Sequence, residues 1–226
     1  METPEEKPPR PYRPSPAFLV FVVLVLLLSL AASAIGPSLY LGGPRRSNGK
    51  IASVEMSGIE GAIQTFFADY GYWPVSEATA SLTNRDFTFG TVGTGARSVI
   101  SNGFGREANN SEVMRILMAI AGNGRSPFDA ASGHLRNPRN VVFLYAKFVG
   151  TTNSPGGVGP DDVYRDPWGN PYIITLDLNG DGQCDDCIYH VKGRISVWSF
   201  GPDGKASAGE RPDVGVNKDN VVTAKP

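Results

Sequence analysis

Histidine and cysteine are scarce in this chain of 226 residues: His134, His190, Cys184 and Cys187 are the full complement. That scarcity removes most metal-centred and nucleophilic chemistry at the outset. The cysteines are spaced C-x-x-C, which is half of a zinc site, and neither histidine completes it at a usual spacing. A redox C-x-x-C opens a helix, whereas this pair lies among Asp and Gly in a turn-like stretch. Two small residues or a local Cys184–Cys187 disulfide remain, and a disulfide requires an oxidising compartment. No H-E-x-x-H, G-x-S-x-G or P-loop pattern occurs. Ser47 and Lys50 have a Ser-x-x-Lys spacing, a pattern short enough to arise by chance. The expectation is a protein that is not an enzyme and takes no small-molecule substrate.

An excess of either charge is also missing. The net charge is -1 and the isoelectric point about 6.1, so no basic face for nucleic acid is expected. Charged residues make up 19% of the chain, which argues against disorder over most of it. Gly 27 and Pro 18 predict many loops.

What is present begins with an apolar run. Residues 17–35, "AFLVFVVLVLLLSLAASAI", carry no charge. As a helix they would reach roughly 28 Å, about the thickness of a bilayer core. Two readings compete: a retained membrane anchor, or a signal peptide cleaved at the A-x-A pattern of Ala32 and Ala34. The tail before it, residues 1–16, holds six prolines and mixed charge and should be extended. Basic residues flank the run on both sides, so charge does not orient it.

Residues 36–49 read as a linker, and residues 50–226 as the main extracytoplasmic domain. Ile51, Val54, Ile59, Ala62, Ile63, Phe66, Phe67 and Tyr70 recur at helical spacing. They predict an amphipathic helix starting near Ser47 or Asn48, closed by Tyr72-Trp73-Pro74. An irregular stretch covers 75–110. A short helix is expected at 111–121, and "NVVFLYAKFV" (140–149) is ambiguous between helix and strand. "PYIITLDL" (171–178) and "RISVWSF" (194–200) read as strands, with "CIYHV" extending a hairpin between them.

"DLNGDGQCDD" resembles the opening of a calcium loop. Asp177, Asn179 and Asp181 take loop positions 1, 3 and 5, Gly182 position 6 and Asp185 position 9. Position 12 is Ile188, where a bidentate carboxylate would close the site. The competing reading is a polar hairpin turn, which Asn, Asp and Gly favour.

Three phrases then carry a family resemblance. "IEGAIQTFFADYGYWP" (59–74), "RDPWGNPYII" (165–174) and "VWSFGPDGKASAGERPDVG" (197–215) are similar to the helix end, the D-P-W-G-x-P-Y signature and the final loop of type II secretion major pseudopilins, within the type IV pilin-like superfamily. The resemblance implies an α+β fold: an N-terminal membrane helix, then an amphipathic helix packed on a small antiparallel sheet. It implies a structural subunit of a type II secretion or pilus-type assembly, single-pass in the inner membrane with its main domain in the periplasm. Its partners would be other pseudopilin subunits or further copies of itself. A binding module that uses such a domain without filament assembly is the alternative. Asp166, Pro167, Trp168, Gly169, Pro171 and Tyr172 would form a structural signature. A structural calcium ion would be held by the carbonyl of Phe200 and the carboxylates of Asp203 and Asp213. One departure is plain: Ala17-Phe18 matches the family's cleavage point, but Val22 stands where its glutamate is usual.

Overall fold

A computed structural model describes residues 15–17, 23–25, 43–90, 107–120, 136–152, 154–185, 188–208, 211 and 214–223. The chain divides into two units, Met1–Arg45 and Arg46–Pro226.

In the first unit the described residues are few, and 16–17 and 23–25 are helical. Among the described residues no helix is long and apolar enough to cross a membrane. This corrects the expected fold class, which opened on a membrane-spanning helix at 17–35. The rest of 17–35, residues 1–14 of the tail and residues 36–42 of the linker lie outside the described residues.

Helix α1, Gly43–Tyr70, belongs to the second unit from Arg46 onward. It opens about a turn earlier than the apolar pattern indicates, because Pro44 lies in the first turn, where a missing N–H is no loss. It closes at Gly71, whose φ of 76° is the left-handed capping conformation and whose N–H bonds the carbonyl of Phe67 at 2.8 Å. Pro74 follows but does not set the end.

The buried face of α1 is Ala52, Met56, Ile59, Ala62, Ile63 and Phe66. Ile51 and Val54, expected on that stripe, lie outside it and are exposed. Later elements are helix α2 (Glu77–Ala80), strands β1 (Phe87–Phe89) and β2 (Glu107–Ala108), and helix α3 (Ser111–Leu117). They are followed by β3 (Gly157–Val158), β4 (Tyr164–Arg165), β5 (Ile173–Leu176), β6 (Gln183–Asp185), β7 (His190–Lys192), β8 (Ile195–Ser199) and β9 (Val221–Val222). A 3₁₀ turn, Gly215–Asp219, precedes β9.

The main sheet has the order β2-β1-β5-β8-β9. It is antiparallel except for the β1–β2 pair, which is parallel. β3–β4 and β6–β7 are separate two-stranded ribbons. One core joins α1 to Phe87, Phe89, Ile174, Leu176 and Val197 of the sheet and to Val113, Met114 and Leu117 of α3. A second, smaller core gathers Ile173, Ile188, Tyr189, Val191, Trp198 and Phe200 on the other side of β5 and β8. Both faces of these two strands are thus covered, so every residue of each is buried, the polar Thr175, Ser196 and Ser199 included.

The 140–149 stretch is neither helix nor strand. It is tied to α3 through the Leu117 carbonyl and pairs at one isolated bridge, Phe148 with Val158. Asn137 anchors its start, donating to the carbonyls of Ile116 (2.9 Å) and Val141 (2.8 Å) and accepting from the Tyr70 hydroxyl (2.8 Å).

Candidate functional site

Three local structures hold the described candidate residues, and a fourth is a groove. The first is the turn 165–172. Asp166 is fully buried, and its Oδ1 accepts the N–H groups of Trp168 and Asn170, both at 2.9 Å. Its Oδ2 accepts the Ser199 hydroxyl at 2.5 Å, which ties the turn to the end of β8. Asn170 donates to the Gly201 carbonyl at 2.8 Å, adding a second tie to the same place. Burial pushes the Asp166 carboxyl up to about 6, against the lowering effect of those donors. Pro171 and Tyr172 are buried, whereas Trp168 is only half-buried and belongs to neither core. Tyr172 donates its hydroxyl to Glu55 of α1, so the turn is also bound to the helix. Burial, then that hydrogen bond, hold the Tyr172 phenol well above its usual range.

Asn110, which the sequence reading passed over, completes this join. Fully buried, it donates to the carbonyls of Tyr164 and Tyr172 (both 2.9 Å) and accepts the Tyr164 N–H (3.0 Å). It reinforces the direct backbone bond already made there, from the Tyr172 N–H to the Tyr164 carbonyl at 3.1 Å. Its only sequence trace is an Asn just ahead of a helix, which reads as a cap.

The second structure is the loop 177–185. Asp177 is buried and folds back on its own chain: Oδ1 accepts Gly180 N–H (2.6 Å) and Oδ2 accepts Gly182 N–H (3.1 Å). Asn179 accepts Asp181 N–H (3.1 Å), and Asp181 accepts Gln183 N–H (2.9 Å). These are the local bonds of a polar hairpin turn between strands. Asp185 faces outward, its Oδ1 2.8 Å from Nδ1 of His190. Ile188 is buried in the second core and is turned away from any ligand role. Cys184 is buried on β6, its thiol 3.5 Å from the Thr175 carbonyl. Cys187 lies outside the described residues, and with it the expected disulfide.

The third is the loop after β8. Phe200 is buried, while Asp203 is exposed and accepts the N–H of Lys205 at 2.9 Å. With its amide turned to satisfy its partners, Asn220 donates to the carbonyls of Phe200 (2.8 Å) and Lys205 (3.0 Å) and accepts the Tyr189 hydroxyl (2.8 Å). An amide thus sits against the Phe200 carbonyl that was expected to face calcium. Asp213 lies outside the described residues. Among the described residues no three His, Cys, Asp or Glu side chains stand close enough together to hold a metal ion.

The fourth is a groove of about 390 Å³ between α1 and the β7–β8 turn, which the sequence reading did not foresee. Phe67 and Trp73 stand 4.5 Å apart, and the Arg194 guanidinium lies over both rings at 4.6 and 4.9 Å. Glu60 and Lys192 complete the walls. Burial raises the Glu60 carboxyl above its ordinary value. The groove therefore combines an aromatic wall with charges of both signs.

No protein-family model matches this chain, and neither a curated protein nor a solved structure does.

Proposed function

We propose that the protein is a structural, pseudopilin-like subunit of a type II secretion or pilus-type assembly. It acts outside the cytoplasm, through contact with further copies or other subunits, and not through catalysis. The observation that carries this reading is the outer side of α1. Val54 is 74% and Ile51 44% exposed, one turn apart on a helix whose opposite face is buried against the sheet. Gly58 and Gly61 continue that outer side with open space beyond them, which lets another backbone approach closely. The three phrases that resemble pseudopilins add to it: they form the helix end, the 165–172 turn and the strand that anchors that turn.

The test is Val54→Asp. The expected result is a melting temperature unchanged within error and loss of the chain from high-mass assemblies recovered from its own cells. Undiminished assembly would count against the reading.

A second reading, a binding module without filament assembly, is favoured by the groove at Phe67, Trp73 and Arg194. It predicts that Val54→Asp is silent and that Arg194→Ala removes whatever activity the cell shows for this protein.

A further inference from the structure

The sequence leaves the 177–185 loop without a closing carboxylate, because Ile188 is buried in the second core. The fold brings one from elsewhere. Asp86, just ahead of β1, is 8% exposed. Its Oδ2 accepts the backbone N–H of Asp185 at 2.7 Å, which places it against β6. Its Oδ1 is buried and has no hydrogen-bond partner among the described residues. Asp177, Asp181 and Asp185, all of its own sign, act on it through space.

A buried carboxylate oxygen with no donor is costly, and three like charges around it add to that cost. A hard cation offsets both at once. It takes oxygen ligands, backbone carbonyls and water included, so it needs no third side chain already at ligand distance. Asp177 has committed one direction of each oxygen to a glycine N–H, and a carboxylate oxygen can accept more than once.

We propose that a divalent hard cation, of the calcium and magnesium class, binds between Asp86 and the 177–185 loop, with Asp86 Oδ1 as its anchoring ligand. The ion fastens the entry of β1 to the β6–β7 ribbon, two pieces far apart in sequence. It is separate from the loop around Phe200 and Asp203, and it does not depend on the assembly reading.

The experiment uses the full chain after chelator treatment, melted with calcium or magnesium added to about 1 mM, the range of extracellular modules. The wild type should gain several degrees with at least one ion. Asp86→Asn, which keeps the shape, should lose that gain, and Asp203→Asn should keep it. Calorimetric titration of calcium into Asp181→Asn covers the case in which Asp86→Asn does not fold. Binding there should weaken about tenfold or more for a lost carboxylate. A wild-type melt indifferent to both ions overturns the proposal, since a proton alone would then compensate Asp86. So does a gain that survives Asp86→Asn or vanishes with Asp203→Asn, or a titration unchanged in Asp181→Asn.

Discussion

Asp166 accepts three hydrogen bonds and still holds its proton more tightly than an exposed aspartate, because full burial outweighs them. The consequence for stability has a definite sign. The carboxyl of the folded state titrates at about 6, against 3.8 for the ordinary group. The folded chain therefore binds the proton first. The stabilisation is fully present below about 4 and is lost as pH rises to about 6, an effect on the order of 3 kcal/mol. Asp166→Asn mimics the protonated group: its carbonyl keeps the N–H groups of Trp168 and Asn170, and Ser199 turns from donor to acceptor. Urea melts from pH 4 to 7 should show wild-type stability falling relative to this variant across that window. Asp86 is raised to about 6 as well, chiefly by burial, and contributes in the same direction. The difference between the two chains isolates Asp166. Parallel curves would mean that Asp166 titrates like an exposed aspartate.

At the scale of elements, the join between β1 and β5 is the part that sequence patterning reveals least. β1 is three residues long and stands in a glycine-rich stretch, so its Phe-Thr-Phe alternation is too short to stand out. It nevertheless pairs with β5 along its whole length, with Thr88 and Thr175 hydroxyls 3.2 Å apart. Gly90 ends it at φ 96°, where a Cβ would stand 2.2 Å from the Tyr172 carbonyl. Gly90→Ala must therefore move the backbone of β1 or of the 165–172 turn. The expected cost is about 2–3 kcal/mol in chemical denaturation, with the cooperative transition kept. A loss under about 0.5 kcal/mol, the size of an ordinary surface change, would contradict this packing.

The elements that could be read from the chain are those whose signal is local. α1 is legible in its spacing, α3 in a compact apolar run, and β5 and β8 in β-branched runs bounded by turns. Within α1 the apolar pattern misplaces both ends: Pro44 is tolerated in the first turn, and Gly71 stops the helix before Pro74. The buried stripe is also narrower than the apolar pattern, since periodicity alone does not show which apolar residues at the edge find a neighbour. Ile51 and Val54 do not. What stayed hidden is long-range. Asn110 bridging β4 and β5, Asp86 reaching Asp185, and Asn220 against the Phe200 carbonyl each join residues whose proximity only the fold creates. The D-P-W-G-x-P-Y phrase showed that a turn would form, but not that Asp166 would reach Ser199 or that Trp168 would stay half-exposed.

At the scale of the whole second unit, two surfaces stand out for what they leave uncovered. One is the outer side of α1 at Ile51 and Val54. The other is the 140–149 stretch, where Tyr145 is 86% and Phe148 62% exposed. Isolated exposed apolar groups are ordinary. An apolar pair on a 28-residue helix, beside glycines with free space around them, is what a subunit that packs against its neighbours would present. The assembly reading rests on that helix side, so the direct test is a cross-link through it. Cysteine placed at position 54 and oxidised in the protein's own cells should join two chains, or this chain to another subunit, with the unaltered chain as the control for Cys184 and Cys187. The account predicts a covalent adduct that depends on the new cysteine and disappears when Ile51→Asp is added. A chain that stays single under oxidation, with the new thiol shown to be accessible, would contradict it.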